Sequence, residues 1–72
     1  MHLPFRNEGH QPFFVVLEPE GDSVQLEPGA SIELRLVPDH GEQSLEIEED
    51  GDVVRIYSMS AKEIWQHGSR VK

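Results

Sequence analysis

The chain has 72 residues, with 36% hydrophobic and 28% charged residues and a formal net charge of −8, which bounds it to a single domain over 1–72. No run approaches the roughly 18–20 apolar residues of a membrane-spanning helix, and the absence of cysteine excludes a disulfide scaffold and a thiolate metal site. The acidic balance disfavours nucleic acid and anionic membranes as partners, because both are held through Lys and Arg.

The hydrophobic pattern has a period of two. Leu3-Pro4-Phe5-Arg6 reads as a short edge strand, and Asn7-Glu8-Gly9-His10 as the turn after it. Phe13-Phe14-Val15-Val16-Leu17 is an apolar run too short for a helix and dominated by aromatic and β-branched residues. It reads as a strand covered on both faces, bounded by Pro12 and Pro19. Glu18-Pro19-Glu20-Gly21 suits a type I turn, and Glu27-Pro28-Gly29-Ala30 a type II turn with Gly29 at the positive-φ position. These turns divide residues 13–37 into three strands. In the third, Ile32, Leu34 and Leu36 point one way while Glu33 and Arg35 point the other.

Further on, Ser44-Leu45-Glu46-Ile47-Glu48 repeats the alternation. Asp50-Gly51 predicts a type I′ hairpin that returns through residues 53–57. Residues 60–68 admit two readings. Ser60 with Glu63 matches a helical capping box, and Gly68 suits a helix C-terminus. The alternative, which we favour, is a strand at Glu63-Ile64-Trp65-Gln66, a turn at His67-Gly68 and a last strand at Ser69-Arg70-Val71, because an isolated helix of one or two turns is marginal.

Six to eight short strands with turn signals every eight to twelve residues predict an all-β chain. We expect a compact antiparallel β-sandwich of two short sheets. Its expected core is Phe5, Phe13, Val15, Leu17, Val24, Leu26, Ile32, Leu34, Leu36, Leu45, Ile47, Val54, Ile56 and Ile64. The string Pro12-Phe13-Phe14-Val15-Val16-Leu17-Glu18-Pro19-Glu20-Gly21, followed by Leu26-Glu27-Pro28-Gly29, resembles a V-x-L-E-P-x-G / L-x-P-G pattern of small uncharacterised bacterial all-β proteins. The resemblance covers about a third of the chain. It implies a β-sandwich, cupredoxin-like in outline, and carries no activity or site residue with it. A cupredoxin copper site needs a cysteine thiolate, which this chain lacks.

Charge is unevenly placed. Residues 18–52 hold twelve of the fourteen acids and a single base, Arg35, for a sum of −11, while the remainder sums to +3. Arg55, Lys62, Arg70 and Lys72 gather toward the C-terminal end. The acidic tip Glu48-Glu49-Asp50-Gly51-Asp52 lacks the spacing of a calcium loop and reads as a solvated turn. Three turn histidines, His10, His40 and His67, are the candidates for a divalent metal site, although no two stand at a spacing that presets one. No nucleophile elbow, phosphate-binding loop or dinucleotide fingerprint is present, so no enzyme, catalytic residue or cofactor is expected.

Trp65 reads either as a core residue or, with Tyr57 and Arg70, as an interface anchor, since Trp, Tyr and Arg are enriched where proteins bind one another. The functional expectation is a non-enzymatic, acidic protein-interaction or self-association module, a homodimer being one form. The alternative is a histidine-based divalent-metal-binding protein. With no basic-then-apolar leader after Met1, the expected location is cytoplasmic.

Overall fold

The computed structural model describes residues 2–37 and 45–72. Eight strands and no helix occur among them: β1 (His2–Arg6), β2 (Phe13–Glu18), β3 (Asp22–Leu26), β4 (Ser31–Val37), β5 (Glu46–Asp50), β6 (Val53–Tyr57), β7 (Ala61–Gln66) and β8 (Ser69–Arg70). They form two four-stranded sheets. The first has the order β1-β4-β7-β8 and the second β3-β2-β6-β5. The chain is thus a small β-sandwich, as the strand spacing predicts. Residues 61–70 form strands β7 and β8, the favoured of the two sequence readings.

The core lies between the sheets and comes from their central strands, with Leu26 added from edge strand β3. Val15, Leu17, Leu26, Leu34, Leu36, Ile56 and Ile64 are at most 2% exposed, with Ile32 nearly so. Leu3, Phe5, Phe13, Val24, Leu45 and Val54 pack around them. Every core residue expected from the alternation is in one of these groups except Ile47. It lies on edge strand β5 opposite Ile56 and stays 47% exposed, because alternation reports which way a side chain points but not how far the facing sheet extends.

Other expectations are corrected. The sheets are not antiparallel throughout: hairpins β2–β3 and β5–β6 join through a parallel pairing of β2 with β6, Phe14 opposite Val53 through Glu18 opposite Tyr57. The apolar run of β2 is covered on one face only. Val15 and Leu17 are buried, whereas Phe14 on the outer side is 37% exposed. The expected type I turn after β2 is instead a reversal containing a cis Glu18-Pro19 peptide, closed by the Gly21 N–H donating to Leu17 O at 2.7 Å.

The two tight hairpins differ from one another. Asp50 pairs with Val53, so the loop residues are Gly51 and Asp52, and only Gly51 has positive φ. That is the type II′ pattern, one residue on from the expected I′ turn. The I′ pattern occurs in the β7–β8 hairpin, where His67 (φ 55°) and Gly68 (φ 78°) are both left-handed. The type II turn at residues 27–30 forms as expected, Gly29 having φ 82° and the Ala30 N–H donating to Glu27 O at 3.0 Å.

Buried polar side chains hold both ends of the sandwich, Asn7 at one and Lys62 with Ser58 at the other. Asn7, 3% exposed, follows β1 where the chain passes to the other sheet. Its Nδ2 donates to Gln11 O and Leu26 O at 2.7 and 2.8 Å, and its Oδ1 accepts from the Gly9 N–H. Its backbone bonds to Ala30 O and Gly29 N. One residue therefore ties the β1-to-β2 passage to the β3-to-β4 passage. At the other end Lys62 points inward from β7, two residues before Ile64, with its side chain 1% exposed. Its ammonium donates to both oxygens of Glu20 at 2.9 and 3.0 Å, to Ser60 O at 3.1 Å and to Ser58 O. That joins the β6-to-β7 passage to the β2–β3 turn.

Two stability changes follow. Asn7→Asp keeps the shape but turns two donations into a carboxylate facing carbonyl oxygens, and should lower stability by at least about 2 kcal/mol in urea unfolding. Glu20→Ala leaves a buried ammonium with carbonyl partners only and should cost about 1–3 kcal/mol. The same change should have little effect in a Lys62→Met background, which a double-mutant cycle reads directly.

Candidate functional site

The outer face of the first sheet carries a connected layer of polar side chains around Trp65. Burial of Ile64 turns Glu63 and Trp65 outward on β7, and burial of Ile32, Leu34 and Leu36 turns Glu33 and Arg35 outward on β4. The register places Glu33 opposite Trp65, Arg35 opposite Glu63, His2 opposite Arg35, and Arg70 opposite Trp65. Arg35 and Trp65 are therefore diagonal neighbours across β4 and β7. At that spacing long side chains meet, and the guanidinium lies 3.9 Å from the indole centroid in a cation–π contact.

Carboxylates hold both partners in place. Arg35 Nε donates to Glu33 Oε1 at 2.5 Å, and Trp65 Nε1 donates to Glu63 Oε1 at 2.9 Å. Arg70 Nη1 lies 3.5 Å from Glu63 Oε2, and His2 Nδ1 lies 3.3 Å from Glu33 Oε1. The hydrogen bond from Arg35 holds the Glu33 carboxyl below its ordinary value. Partial burial opposes this, and the charges of Arg35 and His2 add to the lowering. Beside this layer is an open depression of about 380 Å³, lined by Pro4, Ser31, Glu33, Arg35, Trp65, Gln66 and His67 among others.

Trp65 is thus not a core residue. Of the three anchor residues named from sequence, Trp65 and Arg70 are brought together as register partners on this face. Tyr57 is not with them: it lies on the second sheet, paired with Glu18 and Glu46. The basic C-terminal grouping also divides. Lys62 is buried against Glu20, and Arg55 faces Glu48 and Asp50 at 4.0 Å, so Arg70 and Lys72 are the exposed bases of that part.

The candidate histidines are not gathered into one group among the described residues. His10 is in the loop beside Phe13 and Asp52, His67 is in the β7–β8 turn, and His40 falls outside the described residues. Among the described residues no group of three or more His, Asp or Glu side chains is placed to hold a metal ion, the acidic tip of the β5–β6 hairpin included. No helix among them is long and apolar enough to cross a membrane.

Two features escaped the sequence reading. The burial of Lys62 was signalled by its place two residues before Ile64 on the same side of a strand. The Arg35–Trp65 stack had no local signal, since it depends on the register of strands some thirty residues apart in the chain. Comparison with known protein families, curated proteins and solved structures finds no match to this chain.

The Glu33 titration tests the geometry. Because its pKa is lowered in the folded state, the stabilising contribution of this carboxylate is in place at neutral pH and is lost as the pH falls through the lowered value. In Arg35→Gln the Glu33 carboxyl should titrate at higher pH than in the parent chain, as followed by NMR of its side-chain carboxyl carbon.

Proposed function

We propose that this chain is a non-enzymatic protein-interaction module that self-associates through the outer face of its first sheet, with Trp65 at the centre of the contact. The observation that carries this reading is the position of the chain's single tryptophan. In a 72-residue domain with little apolar material to spare, its indole lies outside the core, stacked by Arg35 and flanked by Arg70. Truncating such Trp and Arg side chains at protein interfaces commonly costs more than other contacts.

Charge supports a second copy as the partner. The outward residues of this sheet include Arg6, Arg35 and Arg70 against Glu33 and Glu63, on a molecule whose overall charge is −8. Two copies meeting through this face avoid the repulsion that the rest of the surface imposes. In a two-fold contact each arginine of one copy can approach a carboxylate of the other, since the same patch is used twice.

Sedimentation equilibrium over a wide concentration range is the test. The expected result is a concentration-dependent dimer whose dissociation constant rises by about tenfold or more in Trp65→Ala, the far-ultraviolet circular dichroism being unchanged. A monomer at every concentration would sink self-association. A dimer indifferent to Trp65→Ala would move the contact to another surface.

A further inference from the structure

The free edge of the second sheet offers a different surface. Strand β5 pairs with β6 on one side and has no neighbour on the other among the described residues, so a row of backbone N–H and C=O groups faces outward along Glu46–Asp50. The strand is five residues long and contains no proline. Its side chains divide by face. Glu46, Glu48 and Asp50 stand on the outer side, where Arg55 is the nearby base and lies 4.0 Å from both Glu48 and Asp50. On the inner side stand Glu49 and the half-exposed Ile47.

Acids on an edge are a common guard against unwanted pairing. They act here against the chain's own copies: two β5 strands side by side would set carboxylates against carboxylates, and like charges directly opposite are destabilising. A guard of that kind has no use for an isoleucine left 47% exposed among the acids of the strand. Its place is accounted for if a strand from a different molecule completes this edge and covers it.

We propose that the β5 edge receives an extended segment of a partner protein in which Lys or Arg alternates with apolar side chains. Backbone pairing along Glu46–Asp50 would supply the common part of the affinity, and the alternating side chains the specificity. The basic residues lie beside Glu46, Glu48 and Asp50, and an apolar residue lies against Ile47. The acids that reject a second copy are those that select this partner, so attraction and exclusion come from the same groups. This site is separate from the Trp65 face and does not depend on it.

The test is an NMR titration of the intact chain with three synthetic peptides of about seven residues, the length of an ordinary strand. One alternates Lys with Val, one alternates Glu with Val, and one has the Lys/Val composition with all lysines at one end. The alternating Lys/Val peptide should bind on the order of tenfold tighter than the block peptide, through cross-strand side-chain pairs, and should slow hydrogen exchange at alternate amides of β5. The Glu/Val peptide should not bind. In Glu48→Lys/Asp50→Lys the preference between the two alternating peptides should reverse, whereas Trp65→Ala should leave binding unchanged. Equal binding of the alternating and block peptides without protection of β5 amides would mean diffuse charge attraction and would overturn the proposal. So would perturbations centred on another strand, or no binding at all.

Discussion

The structure depends on satisfying polar groups where the chain passes from one sheet to the other. Strands β1, β4, β7 and β8 belong to one sheet and β2, β3, β5 and β6 to the other, so the chain changes sheet four times in 72 residues. The passages from β1 to β2, β3 to β4 and β6 to β7 carry backbone N–H and C=O groups past the rim of a dry core, and such groups are costly to leave unpaired. Asn7 and Lys62 meet that need at the two ends. Asn7 joins two passages by side-chain and backbone bonds, and Lys62 collects two carbonyl oxygens and a carboxylate. With the ends held in this way, a small core of Val, Leu and Ile side chains can close between the sheets without a disulfide.

The same arrangement determines what reaches the surface. The central strands are committed inward through alternate residues, which sends Glu33, Arg35, Glu63 and Trp65 outward as a group. The layer they form is ordered by cross-strand register: the arginine stacks on the indole, one glutamate orients the arginine and another orients the indole. Side chains fixed this way have already lost part of their rotamer freedom in the folded chain. The β5 edge is ordered by other means, through the backbone pairing of β5 with β6 and a regular alternation of side chains. The molecule thus has two surfaces of contrasting chemistry, one nearly balanced in charge around a tryptophan and one strongly acidic, along a strand with no second neighbour among the described residues.

Much of this was legible in the residues. The period of two gave the strands, and the Gly and Pro positions gave the turns. Ile32, Leu34 and Leu36 marked the core face of β4, and with it the outward direction of Glu33 and Arg35, whereas the side taken by Trp65 stayed open between core and surface. Turn details were less secure. Asp50-Gly51 reads as a hairpin signal either way, but the pairing of Asp50 with Val53 shifted the loop by one residue and changed its type. Local propensity alone does not decide between two loops that differ by one residue, because the strand register on either side contributes as well.

The amino-acid sequence by itself determined the strand class, the faces and most of the core, because alternation and turn chemistry act between near neighbours. Only the tertiary structure decided the parallel joining of β2 to β6, the stacking of Arg35 on Trp65, the separation of Tyr57 from Trp65 and Arg70, and the exposure of Ile47. Each of these depends on which strands become neighbours and in what register. That choice is made by the collective burial of the two inner faces, and no short stretch of the chain records it.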